Sequence, residues 1–267
     1  MLDEDFRAGY LPTAAGVVHW RETGDGAALI VLHQAASSSR ELVALGRRLA
    51  GHLRVIAPDL PGHGASGQPA EASVAGYAAG VAGLADGLGI ERFRLLGHHA
   101  GGVVAVEVAA ALGDRVEHLF LSNTPFLDAA GRALREGSAP RSYVPDRPDG
   151  AHLTEWWGRR RPIFPDDIPL LNRFLAENLL LGERVELLHR AIAEYRMEDR
   201  FPRYGGPVDY IFADADPYAA AEFDRAVAAF APRGVARLQG GTIAVMDERP
   251  DEIAGVVLGT LEEVGTR

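Results

Sequence analysis

Residues 95–102, Leu95-Leu96-Gly97-His98-His99-Ala100-Gly101-Gly102, join a short apolar run to a long Ala/Val-rich one. "FRLLGH" (93–98) reads as a buried strand and "AGGVVAVEVAAALGD" (100–114) as a helix. The glycine spacing is that of G-x-S-x-G, in which a sharp strand-to-helix turn presents the central side chain to a pocket. His99 holds that central position, so a titratable ring stands where the motif has a hydroxyl.

Outward from this turn the same alternation repeats. "VVHWRET" (17–23) alternates like a half-buried strand, and "ALIVLH" (28–33) and "LRVIAPD" (53–59) are continuous apolar runs, as fully buried parallel strands are. Between them "SRELVALGRRLAGH" (39–52) places Leu42, Leu45 and Leu49 on one helical face. Its serines 37–39 suit a helix N-cap better than catalysis. "SVAGYAAGVAGLADGLG" (73–89) reads as a helix stopped near Gly89, and "VEHLFLSN" (116–123) as a strand. After Gly205-Gly206-Pro207 come strand "VDYIFAD" (208–214), helix "YAAAEFDRAVAAF" (218–230), strand "VARLQ" (235–239) and a helix from Pro250 to about Val264. Such alternation predicts an α/β fold, a mostly parallel central sheet flanked by helices.

From 124 to 204 the alternation lapses into Pro, Arg, aromatics and a strongly helical stretch, "LLNRFLAENLLLGERVELLHRAIAEYRMEDRF". The expected organisation is a core domain of residues 1–123 and 205–267 with a helical cap inserted at 124–204.

Composition narrows the function. A chain of 267 residues can bury a sizeable core without disulfide or metal staples, and with no cysteine it has neither disulfides nor thiolate chemistry. A net charge of -10 argues against nucleic acid, whose phosphates need clustered cations. No apolar stretch approaches the ~20 residues of a membrane span. The acidic start, "MLDEDFRAGYLP", lacks the basic and apolar regions of a signal peptide, so a cytoplasmic location is expected. No glycine loop of phosphate-binding type follows a strand and no His/Asp/Glu spacing suits a metal, so neither cofactor nor metal is expected. The expected partner is a small-molecule substrate, and a homodimer stays open.

Five segments in order resemble the α/β-hydrolase superfamily. "LIVLHQAASSSREL" is similar to the family's strand and oxyanion loop, "VIAPDLPGHGAS" (55–66) to the loop after the next strand, and "LLGHHAGGVVAVEVA" to its nucleophile elbow. "VDYIFADADP" resembles the strand ending at the triad acid, and "LQGGTIAVMDERPDEI" the Gly-Gly-His segment before the last helix. The resemblance implies an α/β-hydrolase fold with Asp216 as the acid, Asp214 or Asp128 being alternatives. It also brings out three departures. His99 replaces the nucleophile, Thr242 the catalytic histidine, and Gln34 the glycine after His33.

An acyl-enzyme needs a hydroxyl, a base and an acid, and two of the three positions are changed. Our expectation is that the His99 ring fills space left by Thr242 and faces Asp216, giving a base that activates water or takes a proton from carbon. The resemblance places oxyanion donors at the N–H of Ala100 and in the loop at Gln34 or Ala35, with the Gln34 amide as a further donor. His33 and His63 suit structural roles, with ligand contact open for His33. His98 is expected to point away from His99, and His152 and His189 lie in the insertion. Trp156, Trp157, Phe164, Tyr195 and Phe201 either pack the cap or roof an apolar cavity for a small organic substrate. Two functions stay open: a hydrolase or lyase working through His99, and a catalytically silent ligand-binding protein of the same fold.

Overall fold

A computed structural model describes residues 4–135 and 143–264. Residues 136–142 of the inserted segment, and the ends of the expected core domain at 1–3 and 265–267, lie outside it. The strands are β1 (Arg7–Thr13), β2 (Gly16–Thr23), β3 (Ala27–Leu32), β4 (Leu53–Pro58), β5 (Phe93–His98), β6 (Val116–Ser122), β7 (Val208–Ala213) and β8 (Gly234–Leu238). They form one sheet in the order β1-β2-β4-β3-β5-β6-β7-β8. The pairings β1–β2 and β2–β4 are antiparallel, and every other pairing is parallel. This is an α/β-hydrolase fold. β1 carries no apolar run to betray it: its residues are exposed or half-buried at the sheet edge.

The core helices are α1 (Val43–Leu49), α2 (Val74–Gly87) and α3 (Ala100–Leu112). The side chain of Ser73 accepts the Gly76 N–H and caps α2, while Ser38 caps a 3₁₀ turn over Ser39–Leu42 that leads into α1. Helices α4 (Ala129–Arg135), α5 (Ala151–Arg160), α6 (Ile168–Leu181), α7 (Val185–Glu194) and α8 (Met197–Arg200) follow β6. After β7 the predicted helix is broken into α9 (Pro217–Ala220) and α10 (Phe223–Phe230). The Asp216 side chain caps α9 by accepting the N–H groups of Tyr218 and Ala219, and the break falls further on, at Ala221 and Glu222. The chain closes with α11 (Val245–Glu248) and α12 (Pro250–Val264).

The sheet is buried on both faces, and β3 shows how. Leu29 and Val31 pack with Leu45 and Leu49 of α1 and Ile253 and Val257 of α12. Ile30 and Leu32 point the other way, onto Tyr77 and Val81 of α2 and Val103 and Val104 of α3. A period of two with both faces covered gives the continuous apolar runs of the parallel strands. A third apolar cluster joins Phe164 and residues Leu171 and Phe174 of α6 to Ala36 after β3 and Ile243 before α11. Helix α6 thus lies against loops at the carboxyl ends of the strands, whereas Leu188, Ala191 and Ile192 of α7 and Met197 of α8 pack with the residues of α2 and α3.

Candidate active site

The turn between β5 and α3 carries His99 at φ 49 and ψ -115. A β-carbon in this left-handed region is strained by about 1–3 kcal/mol, and such strain persists where the surroundings enforce it. Here the backbone is clamped from both sides. The His99 N–H donates to the Ser122 carbonyl at 2.9 Å, and its own carbonyl accepts from Gly102 and Val103. A β-carbon on Gly97 would stand 2.5 Å from the Gly101 carbonyl oxygen, and one on Gly101 2.5 Å from the carbonyls of Leu32 and His33. The two glycines are therefore fixed by close backbone approach. The turn so formed pushes the His99 side chain out, with 16% of it exposed.

Asp216, which has no exposed surface, meets this ring. The His99 Nε2 lies 2.5 Å from Asp216 Oδ2, between residues 117 positions apart. The same oxygen accepts from Asn123 Nδ2 at 2.9 Å, and Oδ1 accepts the backbone N–H groups of Tyr218 at 3.0 Å and Ala219 at 3.4 Å. Burial by itself would raise this carboxyl, but the His99 imidazole and the Asn123 amide outweigh it and hold it well below the usual carboxylate range. An ionised Asp216 makes Nε2 the protonated nitrogen of His99 and leaves the Nδ1 lone pair free to act.

Asn123 was not anticipated. It sits at φ 47 just after β6, and its Oδ1 accepts the Ala213 N–H at 2.9 Å while its Nδ2 orients the acid. The only local sign is an asparagine at a strand end, where that residue tolerates the left-handed region better than most.

Other expectations are corrected. Gln34 has no donor left for an oxyanion: its N–H goes to Glu41 Oε2 at 3.1 Å, and its amide to Glu41 Oε1 at 3.1 Å and the Ile243 carbonyl at 3.3 Å. Thr242 does not face the pair. Its hydroxyl donates to Glu248 at 2.6 Å and accepts from the Ala244 N–H, locking the turn into α11. His33 is sealed, with Nδ1–H on the Gln34 carbonyl and Nε2 accepting the Leu60 N–H at 2.9 Å, so it reaches no ligand. His98 does not turn away from its neighbour: the two rings stand edge to face, 4.6 Å apart. Its Nε2–H donates to the Ile243 carbonyl and its Nδ1 meets the Ser122 hydroxyl at 3.1 Å. Burial, with the adjoining His99 ring adding, lowers the His98 ring to about 3, so it is neutral. Ser122 and His98 have no exposed surface, so this serine–histidine pair is closed to substrate.

Trp156 is buried with the Arg160 guanidinium over its ring, and Trp157 is half-buried against the Phe164–Phe174 cluster. Both therefore serve packing. Asp214 accepts from the Gly240 N–H, and Asp128 from the Gly131 N–H, so neither faces His99. The Ser37 and Ser38 hydroxyls donate to Glu177. His189 Nδ1 bonds the Val185 carbonyl, and His152 accepts the Arg147 N–H. What remains for a developing negative charge is the first turn of α3. Among the described residues the N–H of Ala100 has no protein acceptor, nor has that of Ala35 on the loop after β3. A cavity of about 510 Å³ opens elsewhere, between α6 and the β1–β2 hairpin, lined by Tyr10, His19, Ser39, Arg173 and Glu177; neither His99 nor Asp216 borders it.

Residues 29–256 match the model of the alpha/beta hydrolase family. The chain belongs to this family. Its sequence relatives include an uncharacterized protein of Mycobacterium tuberculosis, 40% identical over 103 residues, which are 38% of this chain and 30% of that protein. A 2-hydroxy-6-oxo-6-phenylhexa-2,4-dienoate hydrolase of Comamonas testosteroni is 32% identical over 43% of this chain and 42% of its own. The chain thus spans less than half the length of these relatives. Solved structures share the fold: a hydrolase from Pseudomonas aeruginosa superposes with a TM-score of 0.78 at 23% identity, covering 96% of this chain and 98% of that one. An epoxide hydrolase from Vigna radiata gives 0.80 at 15% identity, covering 98% and 100%. No described helix is long and apolar enough to cross a membrane, and no described group of His, Asp and Glu could hold a metal.

Proposed function

We propose that this member of the alpha/beta hydrolase family transforms a small organic substrate by acid–base chemistry at His99, partnered by Asp216, without a serine acyl-enzyme. One observation carries the reading: a partly exposed ring, presented on a strained turn, sits 2.5 Å from a fully buried carboxylate. With Nε2–H held by Asp216, Nδ1 takes a proton from water as the oxygen attacks an acyl carbon. The oxyanion is met by the N–H groups of Ala100 and Ala35, and the imidazolium is stabilised by the carboxylate until Nδ1–H returns the proton to the leaving group. Proton abstraction from carbon in a lyase-type step would use the same nitrogen. Relatives whose names state an activity include a haloalkane dehalogenase and the dienoate hydrolase, which supports water as co-substrate.

The test is a turnover screen of activated aryl esters, small lactones and epoxides with the wild type and His99→Ala. Removing the base should lower the rate by about 10²–10⁴-fold with unfolding midpoints unchanged, since proton transfer contributes that much. Equal turnover by His99→Ala, or labelling by a fluorophosphonate, would overturn the assignment. The commitment of every Gln34 donor to the protein favours a second reading, a silent binding protein. It predicts ligand binding by both proteins and turnover by neither.

A further inference from the structure

The cavity of about 510 Å³ between α6 and the β1–β2 hairpin is lined by a second pairing of histidine with carboxylate. His19 of β2 lies with Nδ1 2.8 Å from Oδ2 of Asp59, the residue after β4, and the two side chains are 9% and 3% exposed. Asp59 is engaged on both oxygens. Oδ1 accepts the Ser39 N–H at 2.6 Å, and Oδ2 also accepts the Ala65 N–H at 2.8 Å. Burial would raise this carboxyl, but the His19 ring, the nearby His33 ring and the two N–H groups hold it below the usual carboxylate range. An ionised Asp59 fixes the proton of His19 on Nδ1 and leaves Nε2 without a protein partner among the described residues.

The polar groups lining this cavity are unevenly satisfied. The carboxylate acceptors are taken: besides Asp59, Glu177 of α6 receives the Ser37 hydroxyl at 3.1 Å on Oε2 and the Ser38 hydroxyl at 2.7 Å on Oε1. Several donors are not. The Ser39 hydroxyl and the Arg173 Nε–H are buried with no hydrogen-bond partner, although the Nη atoms of Arg173 hold Asp247. Arg40, exposed on the same rim, bonds through its backbone alone among the described residues. Arg184 directs Nε and Nη2 to the carbonyls of Leu181 and Leu180, so no carboxylate meets its charge. Four arginines (21, 40, 173 and 184) thus face two carboxylates, in a chain of net charge -10. A buried donor left unmet is a cost that an arriving acceptor removes, so the cavity is built for an oxyanion.

We propose that this cavity is a second binding site, separate from His99 and Asp216, for a small organic molecule that carries a phosphate group. A phosphate suits the place better than a carboxylate. The free donors come from β2, from the turn after β3 and from α6, and so converge from several sides, as three oxygens require and a planar pair does not. A dianion beside the His19 ring and Asp59 behind it together favour the imidazolium, whose Nε2–H then donates as well. The volume exceeds what inorganic phosphate fills, and Tyr10, Leu180 and Leu181 on the lining offer apolar surface to the organic part.

The test is calorimetric titration of the whole chain at pH 7 with phenyl phosphate, benzoate and phenol as probes. Phenyl phosphate should bind about 10-fold or more tighter than phenol, the worth of a hydrogen bond to a charged group, and tighter than benzoate. Arg40→Gln and Ser39→Ala should each weaken phenyl phosphate by about 10-fold. Neither change threatens the fold, since one side chain is exposed and the other's hydroxyl has no partner to lose. His99→Ala should leave the affinity intact. In the wild type the His19 ring resonances should move with phenyl phosphate while those of His99 stay in place. Failure to bind phenyl phosphate, equal affinity for benzoate, shifts at His99 in place of His19, or unchanged affinity in both cavity variants would each overturn the proposal. Turnover plays no part in the readout, so loss of this site would leave the reading of His99 untouched, and an inactive His99 would leave this site standing.

Discussion

Asp216→Asn replaces a buried acceptor by a group that must donate on one side. The carboxylate receives four hydrogen bonds, from His99 Nε2 and Asn123 Nδ2 on one oxygen and from the N–H groups of Tyr218 and Ala219 on the other. An amide oxygen can serve one of those pairs. If it keeps Tyr218 and Ala219, its NH₂ meets the donors of His99 and Asn123. His99 can answer by moving its proton to Nδ1 and accepting at Nε2. Asn123 cannot turn over, because its Oδ1 holds the Ala213 N–H. One buried donor is then left unmet, at about 1–3 kcal/mol, and the four charge-assisted bonds become neutral, reverse or vanish, so a loss of about 3 kcal/mol is expected. Urea unfolding at pH 7 measures it. The folded-state carboxyl titrates below its unfolded value, so its stabilisation is present above about pH 4 and fades as pH falls through the folded value. The gap between wild type and variant should close in acid. Ring ¹⁵N shifts should place the His99 proton on Nε2 in the wild type and on Nδ1 in the variant. A stability change below about 0.5 kcal/mol with the proton still on Nε2 would refute the account, since surface-like effects are of that size.

Two further outcomes concern the frame of the site. Gly97→Ala would place a β-carbon 2.5 Å from the Gly101 carbonyl oxygen and the Gly102 Cα, backbone that cannot yield cheaply; a loss of about 1–3 kcal/mol in urea unfolding is expected, and a neutral substitution would show that the turn is looser than described. Glu41, which holds the Gln34 loop, is raised to about 8 by burial, with the charge of Asp247 adding. Its unfolded form loses the proton near pH 4.3, so its contribution is full below that value and is lost as pH rises through about 8. Glu41→Gln should therefore gain on the wild type by several kcal/mol between about pH 4 and 8, and a difference independent of pH would contradict it.

The order of strands and helices was legible because it rests on local chemistry. Alternating and continuous apolar runs place a residue on one face or both within a few positions, and glycines at 97 and 101 with a bulky residue between them mark the turn. The break between α9 and α10 was not legible, because no glycine or proline marks it at Ala221 and Glu222. Nor was β1, whose edge position demands no apolar pattern.

The sequence by itself determined the α/β-hydrolase architecture and the presence of a histidine at its sharpest turn, since periodicity and glycine placement are properties of neighbouring residues. Only the tertiary structure decided what each polar side chain answers to. Gln34 is held by a carbonyl 209 positions away, Thr242 is taken by Glu248, and Arg160 is left facing two rings and a phenol. A hydrogen-bonding group has only a few valences to satisfy, and which partners the fold brings within 3 Å is a matter of distance in space that no local pattern encodes.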